Sequence, residues 1–202
     1  MKVIGLCGGS GSGKGAVSRI LSEYGIPTLD TDALYRELTS RDGECMRALT
    51  REFGESVATP EGALNRIELR KLVFSGVDKD LNREKLNKIT HAYILDAVRQ
   101  RLAQYEREGK ELAVIDAPLL FESGFDKECD LTVAVMADRE IRIKRICERD
   151  GLTREAAENR INTQISDEKL SSMVNFVITN SASRKELAES VAELVAKIKK
   201  TY

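Results

Sequence analysis

Lys2-Val3-Ile4-Gly5-Leu6-Cys7-Gly8-Gly9-Ser10-Gly11-Ser12-Gly13-Lys14-Gly15 is the stretch that decides how this chain is built. Its first six residues read as a short buried strand. The rest has the spacing of a phosphate-binding loop: glycine, four residues, then Gly13-Lys14. Glycines let successive main-chain N–H groups turn inward around a polyphosphate, which Cβ atoms would obstruct. Lys14 adds a point charge for the β- and γ-phosphates, and a helix starting there aims its positive end at the same place. Ala16, Val17, Ile20, Leu21 and Tyr24 supply the apolar stripe such a helix requires. The candidate nucleotide-binding residues are therefore Gly8, Gly9, Gly11, Ser12, Gly13, Lys14, Gly15 and Ala16.

The residue after the lysine breaks the pattern. A Ser or Thr there would offer a hydroxyl to Mg²⁺, but Gly15 and then Ala16 follow. Phosphate cradling survives this change and direct ligation from the loop does not. A water or Ser18, one helical turn on, is available instead; from the sequence, neither is a strong substitute.

With 202 residues and a net charge of −1, the chain suits one α/β domain with a helical insertion. The near-neutral charge speaks against a general nucleic-acid or membrane-surface role. No apolar run is long enough for a bilayer, and the only apolar stretch at the N-terminus runs straight into the loop. A cytoplasmic protein is expected, monomeric or weakly self-associating. Cys7, Cys45, Cys129 and Cys147 lack paired short spacings, and His91 is the one histidine. Reduced thiols are expected, with no structural zinc, and any divalent ion should arrive with the nucleotide.

Short apolar runs at Lys2–Leu6, Pro27–Leu29, Leu112–Ile115, Leu131–Met136 and Phe176–Ile178 predict a parallel sheet covered on both faces. Helices are predicted at Lys14–Tyr24, Asp138–Arg149 and Ser183–Lys199, the last opened by the capping-box spacing Ser183–Glu186. Right-handed crossovers then give an open three-layer sandwich. Between the second and third strands, about residues 41–107, lies a mostly helical insertion. Its longest helix should span Asp80–Tyr105, with a loop at Gly54–Gly62. A second excursion, about 141–169, carries Arg142, Arg145, Arg149, Arg154 and Arg160 and is interrupted by Gly151. Solvated helix faces often look like this, but beside a polyphosphate loop it also reads as a mobile lid neutralising phosphate charge.

Two acidic stretches complete the set. In Leu29-Asp30-Thr31-Asp32, Asp30 reads as a strand-end or N-cap residue. Asp32 reads either as a group able to accept an acceptor hydroxyl's proton or as a second cap. Asp116, ending the third strand, stands where phosphate-loop enzymes reach the metal through water. Pro118 stops that strand, and Leu119, Leu120 and Phe121 would give a cleft an apolar wall. Glu122 has no assignable task.

Taken together, these blocks resemble the dephospho-CoA kinase family over nearly the whole length. The resemblance rests on Gly5–Lys14, Asp30–Asp32, Ile89–His91, Asp116–Glu122, Arg149–Glu155, Arg160 with Gln164, and Ile178–Ser181. It implies the phosphate-loop kinase type of three-layer α/β sheet, with a helical substrate-binding insertion and a helical lid. It also implies phosphorylation of the ribose 3′-hydroxyl of dephospho-CoA by ATP with Mg²⁺. On that basis Asp32 would orient and deprotonate the hydroxyl, and Lys14 with the loop amides would hold ATP. Arg145 and Arg149 would meet nucleotide phosphates or the transferred group, and Asn180 would approach the adenine. His91, Asp116, Pro118 and Leu119 would serve the substrate side.

Gly15 and Ala16 in place of Ser-Thr, Cys7 in place of threonine, Ala92 in place of proline and Arg142 in place of glutamine depart from the family pattern. The first implies a weakened metal site in an otherwise intact fold. Two alternatives stay open: another small-molecule kinase, and a nucleotide-binding relative of weak or no activity. A GTPase switch is disfavoured, because Asn87-Lys88-Ile89-Thr90 lacks the aspartate that guanine recognition requires.

Overall fold

Val3, Ile4, Gly5, Leu6 and Cys7 are all buried, which identifies β1 (Lys2–Cys7) as a strand covered on both faces. A computed structural model describes residues 1–75 and 77–201. It places β1 at the centre of a five-stranded sheet ordered β2-β3-β1-β4-β5. The other strands are β2 (Thr28–Asp30), β3 (Leu112–Asp116), β4 (Leu131–Met136) and β5 (Phe176–Thr179). The β1–β3, β1–β4 and β4–β5 pairings are all parallel, with Leu6 opposite both Asp116 and Val133. That register brings the carboxyl ends of β1, β3 and β4 together, where a parallel sheet presents its ligand-binding loops. Each expected strand is present, with its end shifted by at most a residue or so.

One face of the sheet is packed by α1 (Lys14–Glu23) and α9 (Arg184–Thr201). Ile4, Val133, Val17, Leu21, Val191 and Ile198 share that core. The capping box forms as predicted: Ser183 Oγ donates to Glu186 Oε1 at 2.6 Å, and the Glu186 N–H donates back to Ser183 Oγ at 3.3 Å.

The chain divides into two compact units, Met1–Thr28 with everything from Glu108 onward, and Leu29–Arg107. The second unit is helical: α2 (Thr31–Leu38), α3 (Glu44–Phe53), α4 (Arg66–Phe74) and α5 (Lys79–Arg107). Met46, Leu49, Val57, Leu69 and Val73 form its core, with Leu86, Ile89 and Tyr93 of α5 packed against them. The predicted loop at 54–62 contains a 3₁₀ turn, Glu55–Val57, and an antiparallel bridge between Ala58 and Leu64.

Back in the first unit, the arginine-rich excursion folds as three helices: α6 (Arg139–Asp150), α7 (Arg154–Asn162) and α8 (Asp167–Met173). Gly151 caps α6 in the left-handed region, at φ 66°. Thr153 and Ser166 then cap α7 and α8, each accepting a main-chain N–H three residues on. Ile143, Ile146, Ala157 and Ile161 give α6 and α7 a small core of their own. Among the described residues no helix is long and apolar enough to cross a membrane.

Candidate active site

The loop from Gly8 to Gly13 leaves β1 and closes on the N-terminus of α1. Gly11 and Gly13 take φ values of +77° and +88°, a region side chains with a Cβ rarely enter. Space forbids a side chain as well. A Cβ at Gly11 would lie 2.6 Å from the main-chain oxygen of Arg142, and one at Gly13 would fall on Nδ2 of Asn180. The Ser12 N–H donates to the Gly9 carbonyl at 3.1 Å and tightens the turn. Gly13 caps α1 without a side chain, and the first turn carries no acidic residue, so the positive end of the helix dipole is not neutralised by a carboxylate of its own first turn.

Two buried or half-buried groups fix the loop from outside. Asn180, 7% exposed, donates from Nδ2 to the Ser12 carbonyl at 2.8 Å. Arg145 Nη1 donates to the carbonyls of Gly11 and Ser12 at 3.2 and 3.3 Å. Asn180 thus shapes the loop; it also lines a cavity of about 340 Å³ with Gly13, Ala16, Arg19 and Arg184.

Lys14 reaches the end of β3. Its Nζ pairs with Asp116 Oδ1, and Ser18 Oγ donates to Oδ2 of the same carboxylate. Asp116 is 6% exposed. Hard oxygen donors of this kind suit Mg²⁺ better than softer metals. Among the described residues no group of three or more His, Cys, Asp or Glu side chains stands ready to hold a metal. The donor set therefore fits an ion that arrives with the nucleotide and brings most of its ligands. Beside the lysine, Cys7 Sγ donates to the Val133 carbonyl at 3.5 Å. Burial pushes its thiol up to about 12, opposed in part by Lys14.

Arg142 is the residue least expected from the sequence. It is 4% exposed, and each guanidinium nitrogen is used: Nε donates to the Ser10 carbonyl at 3.0 Å, Nη1 to Asp167 at 2.9 Å and Nη2 to Gln164 at 3.1 Å. Gln164 in turn accepts the Ser10 N–H at 3.0 Å and donates to Ser10 Oγ at 3.2 Å. Arg142 is therefore a clamp on the loop's outer turn, whereas the sequence offered only a solvated or phosphate-seeking arginine. Arg149 donates through Nε and Nη2 to Asp150 at 2.8 and 2.9 Å, and Arg160 pairs with the same carboxylate. Those arginines hold Asp150 well below the ordinary carboxylate range, at about 2. Arg154 grips Glu140 with both terminal nitrogens and ties α6 to α7. Of the expected lid arginines, Arg145 touches the loop while Arg149 is engaged with Asp150 at the end of its own helix.

The segment after Asp116 lines a smaller cavity of about 100 Å³, with Cys7, Gly8, Gly9, Pro118, Leu119 and Thr163 among its walls. Leu119 is 51% exposed, whereas Leu120 is fully buried, close beside Gly5. In the helical unit, Asp30 caps α2 by accepting the N–H groups of Asp32 and Ala33 at 2.9 and 3.1 Å. That leaves the Asp32 side chain exposed on the first turn rather than acting as a second cap. His91 lies half-buried on α5, where burial lowers its pKa.

The dephospho-CoA kinase family model matches residues 2–186. The chain belongs to the dephospho-CoA kinase family. A dephospho-CoA kinase of Geobacter sulfurreducens is 37% identical over 197 residues, and one of Listeria monocytogenes 35% over 199, each alignment covering 98% of both chains. A solved Thermus thermophilus structure superposes with a TM-score of 0.80 at 30% identity, covering 97% of each chain. Of the residues singled out from the sequence, the structure brings Lys14 to Asp116, and Arg145 and Asn180 to the loop. The sequence missed the tasks of Arg142, Gln164 and Asp167. The spacing of Arg142 and Arg145, one turn apart on α6, was the available signal, since both then face the loop.

Proposed function

We propose that the protein transfers the γ-phosphoryl group of ATP to the ribose 3′-hydroxyl of dephospho-CoA, giving CoA and ADP, the last step of coenzyme A synthesis, in the cytoplasm. The observation that carries this reading is the glycine-rich cradle from Gly8 to Gly13, closed to any side chain at Gly11 and Gly13, with Lys14 and Asp116 at its mouth, in a chain of this family.

Phosphoryl transfer asks mainly for positioning and charge stabilisation. The loop amides and the N-terminus of α1 would hold the β- and γ-phosphates, and Lys14 would leave Asp116 to meet them. Arg145 already lies at the loop, and Arg149 would exchange Asp150 for phosphate oxygens. The cavity beside Asn180, Ala16 and Arg184 would take the adenosine end. Asp32 would accept a hydrogen bond from the 3′-hydroxyl and take its proton as the bond to phosphorus forms. His91 would lie on the substrate side, and Pro118 and Leu119 would offer apolar contact. Mg²⁺, when bound, would neutralise charge that develops on the phosphates during transfer. Asp116 is the residue that would hold it.

The test is direct: incubate purified protein with ATP, Mg²⁺ and dephospho-CoA and look for CoA by mass. Parallel reactions with nucleosides and nucleoside monophosphates identify another small-molecule kinase if those are phosphorylated instead. ATP binding without any product would mark an inactive relative.

A further inference from the structure

Gly15 deprives the first turn of α1 of a hydroxyl, and the structure shows another one delivered from the next turn. Ser22, further along the same helix, donates to the Ser18 carbonyl at 3.0 Å, the ordinary habit of a helical serine. Ser18 does otherwise: its Oγ donates to Asp116 Oδ2. Lys14 and Ser18 are four residues apart, share one face of α1, and reach opposite oxygens of that one carboxylate.

We propose that Ser18 is the positioning residue that substitutes for the missing loop hydroxyl, fixing Asp116 toward the divalent cation that accompanies ATP. The reason lies in what happens to Asp116 when a polyphosphate enters. Lys14 is then drawn to the phosphates, and the carboxylate gives up that pairing. The Ser18 hydrogen bond to Oδ2 is made independently of Lys14, so it continues to orient the carboxylate and tempers its pull on the lysine. The glycine site itself is open: a Cβ built there meets no atom within 4 Å, so a serine can be restored without rearrangement. Ser18 thus acts through Asp116, as outer partners of metal-holding groups do. The inference rests on the nucleotide-binding part of the reading above and is independent of the acceptor.

ATP affinity measured by calorimetry with Mg²⁺ and with EDTA tests it, together with EPR of Mn²⁺ in the protein–ATP complex. Ser18→Ala should leave ATP affinity in EDTA within twofold of the parent. The gain in affinity conferred by Mg²⁺ should fall about tenfold, with a changed Mn²⁺ spectrum. Ser18→Thr should retain both. In a Gly15→Ser background the cost of Ser18→Ala should shrink severalfold, a coupling read from the double-mutant cycle. An unaltered Mg²⁺-dependent gain in Ser18→Ala overturns the proposal, and so does an equal loss with and without metal, which is the mark of a merely structural serine. Should Ser18→Ala not fold, loss of the Mg²⁺ gain in Ser18→Thr overturns it equally. Parent protein that binds Mg·ATP without making CoA would refute the kinase reading alone; parent protein that never binds ATP would refute both.

Discussion

Arg142 donates its Nε–H to the main-chain carbonyl of Ser10 at 3.0 Å, joining α6 to the outermost turn of the glycine-rich loop. Its two other nitrogens engage Asp167 and Gln164, from the return of the same excursion. A buried guanidinium with all three nitrogens occupied is a rigid joint. Arg142→Ala removes it and leaves the Ser10 carbonyl and Gln164 underused. The expected loss is about 3 kcal/mol of unfolding free energy, read by urea titration. Nucleotide affinity should fall with it. Arg142→Gln, which can still donate to Ser10, should lose less; equal stability of all three proteins would contradict the clamp.

Gly13 and Asn180 are mutually exclusive with any side chain at position 13. Gly13→Ala would place a methyl on the Asn180 amide at a φ of +88°. We expect destabilisation by at least about 2 kcal/mol and loss of measurable ATP binding. The double variant with Asn180→Ala should regain part of the stability, because the clash is relieved while the strained φ persists. Thermal unfolding and calorimetry report on both.

Asp32 stands free of capping duty because Asp30 performs it. Asp32→Asn keeps the shape and removes the carboxylate proposed as base. Turnover should fall by about 10²–10⁴-fold, with ATP affinity unchanged. Steady-state kinetics near the parent values would remove Asp32 from the chemistry.

Asp150 gives α6 and α7 a pH response. Its folded pKa, about 2, is depressed below the ordinary 3.8 by Arg149 and Arg160. Stability from these pairs is therefore complete above about pH 4 and lost as the pH falls through 2. Asp150→Asn should melt below the parent at neutral pH, and the two melting curves should converge between pH 4 and 2. A constant offset across that window would show that the pairs contribute nothing. The difference should also shrink in high salt, since the pairs are exposed.

Much of this protein could be read from its sequence, for physical reasons that differ between parts. Strands buried on both faces must be continuously apolar, so β1, β3 and β4 announced themselves. Glycine spacing announced the loop, because few other uses demand it, and the Ser183–Glu186 spacing announced the start of α9. Arginines carry no such signature. Arg142 and Arg154 look alike in a polar helix, yet one is nearly buried against Ser10 and the other exposed in an ion pair with Glu140. Which of them turned inward depended on partners more than twenty residues away, Gln164 and Asp167 among them, and local pattern does not encode such partners. Ser18 was visible as a hydroxyl in the right region, but its choice of Asp116 over its own helix backbone required the register of β3 against β1.

Cys7, beside the loop, donates its thiol to a strand carbonyl and ionises only near pH 12. At neutral pH the thiol form dominates and the reactive anion is scarce. Electrophilic compounds aimed at the small cavity beside Pro118 and Leu119 would find this sulfur in its wall but little nucleophile, so covalent capture here is a poor design route.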